Sequence, residues 1–273
     1  MGELWRGVTE ITWKRPSVWL PVLIADLVGF FINLGRLALL RAVVVEHSEY
    51  RSALGGAPMR APITAATAHG ITTLALVIDW TSYLLRLLLY AAALIATAAL
   101  VHGFRERVQR PWAGIGVALR RYAGGIFSLS LRALAIYGAA ALLFSWLANS
   151  IVSHGHKAWL ANGWLELGAT LILMLALALL LAPVAVQVLA KRYAPADIKQ
   201  RAQVFAFSLG LVALAIGTFV TANIRTVRGG LSLGRTLLEL SGSWLVALPY
   251  AVLFVGIALL AHQVPFSAET ETL

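Results

Sequence analysis

Four charged side chains, Asp26, Asp79, Arg86 and Arg132, stand inside long apolar stretches of this sequence. Asp79 and Arg86 interrupt the apolar run Ile71–Val101, which is long enough to span a bilayer because the hydrocarbon core requires about 20 apolar residues in a helix. A charge near the middle of such a helix costs at least ~2.5–3.5 kcal/mol. We therefore expect these four side chains to face protein or water rather than lipid.

The depths of these charges along their helices indicate which of them can meet. Asp79 lies about 10 Å from Arg86, from a rise of 1.5 Å per residue, so the two share a helix face but are too far apart for a tight pair. Asp26 is the depth-matched partner for Arg86 or Arg132, and two acids with two bases make a neutral set. Three interpretations stay open: the set fixes helix register, it relays protons or ions or binds an anionic substrate, or Arg132 reaches the interface and pairs with nothing.

The composition predicts the kind of fold that must position these charges. The chain has 273 residues, 60% of them hydrophobic and 12% charged, whereas soluble domains carry about 25% charged residues. We predict an all-α, polytopic integral membrane bundle forming a single domain over residues 1–273, with an interfacial segment at 1–16, the bundle at 17–262 and a short acidic tail at 263–273. About six spans are predicted, at residues 17–35, 71–101, 126–147, 164–189, 204–222 and 243–261. The apolar pattern of the first span continues past Arg36 to Val45, so this helix is either longer than the bilayer or bends into an interfacial segment.

The lysines and arginines between the spans predict the orientation. With the N-terminus inside, the inner segments hold twelve of these bases and the outer segments hold six. This favours both termini on the cytoplasmic side. The last hairpin disagrees, because its outer loop carries Arg225, Arg228 and Arg235; if residues 204–222 were re-entrant, the C-terminus would lie outside.

Tryptophans and arginines beside the spans indicate contact with the membrane surface. We expect Trp13, Arg15, Trp112, Arg120 and Arg121 to meet lipid headgroups, since tryptophan favours that level and arginine binds phosphate. A short amphipathic helix is predicted to begin at Pro111 and to end at Gly124–Gly125. The net charge of +10 is clustered at the ends of apolar runs. It therefore predicts a bilayer with anionic headgroups as the partner, and no nucleic acid.

Few residue patterns in the chain suggest chemistry at a catalytic or metal centre. Histidines and glutamates of the predicted outer loops could bind a transition metal, but we expect them to be ordinary side chains of solvated loops; they are His47, His154, His156, Glu46 and Glu49. The sequence has no cysteine, which excludes disulfides and thiolate metal sites. It also lacks a nucleophile elbow, a zinc-protease motif and a phosphate-binding loop. We predict no catalytic residue, no metal and no cofactor.

Two segments of the chain resemble each other. Residues 127–136 read FSLSLRALAI and residues 207–216 read FSLGLVALAI, with eight matches in ten at an offset of 80. This offset is about one helical hairpin with its connections, so the chain could consist of three related parallel hairpin repeats. Leucine and alanine dominate such runs, and chance similarity is the alternative explanation.

The order of parts resembles a six-helix bacterial membrane module that is joined to some glycerophosphodiester phosphodiesterases, and related membrane families. A tryptophan-rich N-terminal segment precedes the first span, and basic amphipathic connections such as RPWAGIGVALRRY precede the third and fifth spans. The resemblance implies an anchoring or helper module in the bacterial cytoplasmic membrane. The phosphodiesterase activity is not implied, because the sequence contains no such domain.

Two classes of function are consistent with these observations. A non-catalytic scaffold, anchor or subunit of a membrane complex fits the lack of catalytic motifs, with other membrane subunits or a second copy as partners. A small-molecule or ion permease would use the buried aspartates and arginines. A sealed helix interface around Asp26, Asp79 and Arg86 favours the scaffold, and a water-accessible cleft favours transport. We predict the scaffold.

Overall fold

The computed structural model describes residues 2–46, 65–108, 110–153, 176, 179–191, 194–226 and 233–264. These residues form helices, and no strand occurs among them, which confirms the all-α prediction. A 3-10 turn at Pro16–Trp19 links the first two helices. The helices are α1 (Gly2–Lys14), α2 (Leu20–Glu46), α3 (Ala65–Arg105), α4 (Ala113–Arg121), α5 (Ala123–Ser153), α6 (Leu179–Ala190), α7 (Ala196–Thr226) and α8 (Leu233–His262).

Three helical stretches of the described chain are long and apolar enough to cross a membrane. They are Pro16–Leu40, Thr73–Arg105 and Ala123–Ala140, and they coincide with the first three predicted spans. Two shorter apolar stretches, Leu179–Ala190 and Ala247–His262, fall within the predicted fourth and sixth spans. The association with membranes therefore rests on three spans, and the count of six stays a prediction. Most of the loop at 46–69, residues 164–175 and the end of the acidic tail lie outside the described residues.

The long helices alternate in direction, as contacts at their ends indicate. The Arg15 guanidinium, just before α2, lies 5.5 Å from the ring centre of Phe104 at the end of α3. The rings of His102 and His262 stack at 5.1 Å, which brings the ends of α3 and α8 together. The Tyr122 hydroxyl, just before α5, donates to the carbonyl of Leu189 near the end of α6 at 3.0 Å.

These contacts define one end of the bundle, here called the basic end: α1, the 3-10 turn, α4 and the adjoining ends of the other helices. The described core extends from this end towards the middle of the bundle. Its fully buried side chains include one from each of six elements: Val8, Val18, Leu100, Val186, Phe205 and Leu260. Helix α3 contacts α2, α4, α5 and α8, and helix α8 contacts α1, α2, α3 and α7. Helices α3 and α8 are therefore the two central members.

Helices α7 and α8 approach each other through small residues. Ala202, Ala206 and Ala213 of α7 are buried, as are Ala247, Ala251 and Ala258 of α8. A Cβ added at Gly256 would overlap the ring of Phe205. The glycine is thus required for the close packing of this ring, because interfaces in membranes depend on small residues that let backbones approach.

The boundary between α4 and α5 differs from the prediction. Helix α4 ends at Arg121, and the backbone leaves helical geometry at Tyr122. The prediction that Gly124–Gly125 ends this helix is wrong, because both glycines lie in the first turn of α5. A Cβ at Gly125 would overlap the side chain of Val188. This glycine therefore serves the close approach of α5 and α6 rather than a turn.

The two similar decapeptides lie on α5 and α7 and present matching faces. Leu129 and its counterpart Leu209 are both buried. Phe127 and Phe207 are both exposed on the opposite face. Shared burial is also what two amphipathic helices of similar sequence would show without common descent, so the hairpin repeat stays a prediction.

Candidate functional site

A line of polar residues, with one glycine among them, follows the contact between α2 and α3. On each helix they are separated by alternating steps of three and four residues, the spacing that keeps side chains on one face towards a partner helix. We call this set the polar seam: Asp26, Gly29, Asn33 and Arg36 on α2, and Asp79, Tyr83, Arg86 and Tyr90 on α3. The helices run antiparallel, so Asp26 lies at the level of Tyr90, Gly29 at that of Arg86, and Arg36 at that of Asp79.

An ion pair joins the two helices in the half of the seam farther from the basic end. The Arg36 Nε donates to Asp79 Oδ1 at 2.5 Å. The Arg36 Nη1 also donates to Asn33 Oδ1 at 3.2 Å. The side chains of Arg36 and Asp79 are 24% and 32% exposed, respectively. A half-buried pair of this kind neutralises two charges that would each be costly against lipid.

Aromatic rings connect this ion pair to α5. The Arg36 guanidinium lies 5.8 Å from the ring centre of Tyr83, within the range of a cation–π contact. The ring of Tyr83 lies 4.3 Å from that of Tyr137 on α5. The ring of Trp80 meets Tyr137 edge-on at 5.7 Å. The charged pair is thus backed by three aromatic side chains.

Asp26 lies at the centre of the described bundle. It is only 5% exposed, and its Oδ1 accepts a hydrogen bond of 2.9 Å from the Tyr90 hydroxyl. The ring of Tyr90 lies 6.0 Å from that of Tyr250 on α8. Asp26 therefore links α2 to α3, and Tyr90 extends this contact towards α8.

Arg86 lies one helical turn along the seam from this bond. Its Nε is 3.6 Å from the point where a Cβ on Gly29 would stand. Gly29 lets the arginine cross the surface of α2 close to Asp26, although the proposed pairing of Asp26 with Arg86 stays a prediction.

Arg132 lies apart from the seam residues. It is exposed on α5, a helix that packs against α3. The sequence placed Arg132 with Asp26, Asp79 and Arg86 as one cluster. The structure brings Asp26, Asp79 and Arg86 onto the α2–α3 contact and leaves Arg132 on the surface of the described bundle.

Two polar atoms are buried where the line of the seam continues towards the basic end. The Trp19 Nε1 and the Thr97 Oγ1 have no hydrogen-bond partner among the described residues. Continuing the antiparallel pairing of α2 and α3 places them at the same level. An unsatisfied buried donor costs about 1–3 kcal/mol, so this level is the least satisfied part of the interface.

The predicted headgroup residues are exposed at the basic end. Trp13 is 79% exposed, and Arg15 is exposed while its guanidinium lies over Phe104. The amphipathic helix α4 and the residue before it expose Trp112, Arg120 and Arg121. The structure thus gathers the five predicted residues at one end of the bundle.

Two non-glycine residues at this end have left-handed backbone geometry. Arg107, after α3, has φ 53°, and Lys191, after α6, has φ 52°. This conformation costs roughly 1–2 kcal/mol for an L-residue, and glycine is the usual choice after a helix. The Lys191 ammonium lies 4.7 Å from the ring centre of Tyr122. Both positions carry a basic residue, although a glycine would adopt this backbone conformation without strain.

On α1, a salt bridge of 2.7 Å joins Lys14 to Glu10. The hydrogen bond from Lys14 holds the pKa of Glu10 below its usual range. Both side chains are exposed, so the pair orders the surface of α1 and adds little stability.

The described residues contain no group of three or more histidine or acidic side chains suited to a metal. The predicted outer histidines and glutamates lie outside the residues whose side chains are described.

Sequence reasoning missed the two most direct partners in the seam, Arg36 and Tyr90. The sequence prediction ends the first span before Arg36. It also treats Tyr90 as one of the apolar residues of the second span. The spacing of polar residues in steps of three and four on both segments is the signal that could have identified them. No family model, curated protein or solved structure matches this chain.

Proposed function

We propose that this chain is a non-catalytic scaffold, anchor or subunit of a membrane complex. The observation that carries the proposal is the pairing of polar side chains across a helix interface, with Arg36 bound to Asp79 and Asp26 accepting a bond from Tyr90. In lipid, helices gain nothing from the hydrophobic effect against each other, so hydrogen bonds and close packing must hold them together. The polar seam supplies such bonds between α2 and α3.

The surroundings of the seam favour this role over transport. A permease needs its charged groups to face a passage for the substrate, at the interface of its repeats. Asp26 is buried, and a cavity of about 300 Å³ in the described part of the bundle is lined by α1, α7 and α8 rather than by the seam. These features are those of a packed helix contact.

We further propose a multi-pass bacterial cytoplasmic membrane protein with the basic end on the cytoplasmic side. The bases of α1, α4 and the linkers after α3 and α6 gather at this end, which supports the positive-inside orientation. The order of parts supports a role like that of the six-helix module joined to glycerophosphodiester phosphodiesterases. A partner would be another membrane subunit or a second copy.

Thiol accessibility tests whether the seam is sealed. The natural chain has no cysteine. A single introduced thiol is therefore the only site that the reagent can label, and no native cysteine has to be replaced first. Ser82 lies one turn from both Asp79 and Arg86 and donates to the Ile78 carbonyl. Ser82→Cys is nearly isosteric, and we expect it to resist a charged, membrane-impermeant thiol reagent in vesicles of either orientation.

Glu10→Cys is the matched positive control, because Glu10 is exposed on α1. Reaction of Ser82→Cys at a rate close to that of Glu10→Cys would contradict a sealed seam and favour the permease. A pull-down of the tagged chain in mild detergent tests the complex directly. A stoichiometric membrane partner or a self-associated species supports the scaffold, whereas a lone monomer with substrate-dependent uptake in liposomes contradicts it.

A further inference from the structure

An apolar groove crosses the bundle between α1, α7 and α8. Its volume is about 300 Å³, at the lower limit of the pockets that hold small molecules. Three tryptophans contribute to its walls, a large share of the nine in the chain. Its main lining residues are Trp5, Trp13 and Trp19 at the basic end, Val212 and Ile216 on α7, and Pro249 on α8.

The groove opens at the side of the bundle. Trp13 and Val212 both line it and are both exposed. Helix α1 presents residues to it at helical spacing, and contacts α8 as well. A helix with an apolar face of this kind lies in the membrane interface, so the groove runs from headgroup level towards the hydrocarbon.

The two threonine hydroxyls of the groove are already bonded to carbonyls within α1. The Thr9 hydroxyl donates to the carbonyls of Trp5 and Arg6 at 2.9 and 3.0 Å. The Thr12 hydroxyl donates to the Val8 carbonyl at 2.6 Å. The lining therefore offers hydrocarbon contact and little hydrogen bonding, which suits an alkyl chain rather than a polar metabolite.

Three bases stand at the headgroup end of this groove. Arg6 follows Trp5 directly, and Lys14, which also pairs with Glu10, and Arg15 follow Trp13; all three are exposed. We propose that the groove binds one acyl chain of an anionic phospholipid, with its phosphate near Arg6, Lys14 and Arg15. The positive charges of the three bases favour an anionic headgroup, and the apolar groove binds the acyl chain. This site does not depend on the scaffold role, because none of the seam residues lines the groove.

Photocrosslinking in liposomes tests the site. The full chain is reconstituted with phosphatidylglycerol that carries a diazirine in its acyl chain, and crosslinked peptides are mapped by mass spectrometry. We expect crosslinks on the α7 and α8 segments that line the groove. Val212→Trp fills the groove and should lower this crosslinking about tenfold, which corresponds to ~1.4 kcal/mol.

Leu131→Trp is the matched control for bulk, because Leu131 is similarly exposed on α5; it should leave groove crosslinking unchanged. Arg6→Gln and Lys14→Gln should each weaken retention of phosphatidylglycerol about fivefold, equivalent to ~1 kcal/mol per base. Arg120→Gln removes an exposed headgroup base on α4, outside the groove, and should leave the acyl-chain crosslinks on α7 and α8 unchanged.

Three results would overturn the proposal. Equal crosslinking of phosphatidylcholine and phosphatidylglycerol probes would show that charge plays no part. Groove crosslinking that Val212→Trp leaves intact would place the lipid elsewhere. Efficient crosslinks from groove residues to a second copy of the chain, in place of lipid, would make this surface a dimer contact. None of these results bears on whether the seam is sealed.

Discussion

Two helix pairs in this molecule are held together by opposite means. Helices α2 and α3 meet through charged, hydroxyl and aromatic side chains, including the pair Arg36–Asp79 and the bond from Tyr90 to Asp26. Helices α7 and α8 meet through alanines and through the ring of Phe205 against Gly256. Both pairs are antiparallel, and both contribute to one bundle.

The difference reflects the two options that lipid leaves to a pair of helices. Close packing requires small residues on one side and depends steeply on shape. Polar pairing specifies which residues must face each other, because a charge shifted away from its partner meets lipid. We infer that α7 and α8 supply tight packing, whereas α2 and α3 supply a defined register.

The largest effect should follow from breaking the close packing. Gly256→Val places side-chain atoms where the fully buried Phe205 ring stands. Overpacking of this kind costs typically ~1–3 kcal/mol and occasionally more, and the Phe205 ring is already packed against that of Trp5 at 4.8 Å. We expect a large loss in the free energy of unfolding, measured by denaturant unfolding in detergent micelles.

Gly35→Val is the control, because a Cβ at Gly35 on α2 meets nothing within 4 Å. It should change stability little, although it introduces the same side chain into a helix. Phe205→Ala in the Gly256→Val background should restore part of the loss. Equal destabilisation by both valines would mean that helix propensity, and not the contact with Phe205, explains the effect.

A smaller effect should follow from breaking the ion pair of the seam. The two side chains are 24% and 32% exposed, so Arg36→Met and Asp79→Leu should each cost an amount nearer the ~0–1 kcal/mol of an exposed pair than the ~3–5 kcal/mol of a broken buried pair. The double variant should cost less than either single change, since it leaves no uncompensated charge. Thermal unfolding of the four proteins in a double-mutant cycle measures this coupling.

Arg132→Met serves as the control for the loss of an intramembrane base, because Arg132 is exposed on α5. It should change stability much less than Arg36→Met. If the effects of Arg36→Met and Asp79→Leu are additive, the ion pair does not fix the register between α2 and α3. The seam would then consist of independent polar residues.

The sequence predicted the class of fold and the places of the first three spans, because apolar length is set by bilayer thickness. It identified Asp26, Asp79 and Arg86 as groups that must avoid lipid, by the same reasoning. The sequence could not identify their partners. The depth of a side chain in the bilayer does not say which neighbouring helix it faces. The pair Arg36–Asp79 depends on how far α2 continues beyond the expected span, which only the packing of the helices determines.

The smallest effect should come from the hydroxyl of Tyr90. Tyr90→Phe removes one donor to Asp26 while keeping the ring against Tyr250. Hydrogen bonds between membrane helices average only ~0.6 kcal/mol, so the loss should be modest. Tyr122→Phe is the comparison, because its hydroxyl donates to the neutral carbonyl of Leu189. A charged acceptor makes the stronger bond, so unfolding measurements should show the larger loss for Tyr90→Phe. If the two losses are equal, Asp26 gains nothing from its charge in this bond, and the seam works by shape, as α7 and α8 do.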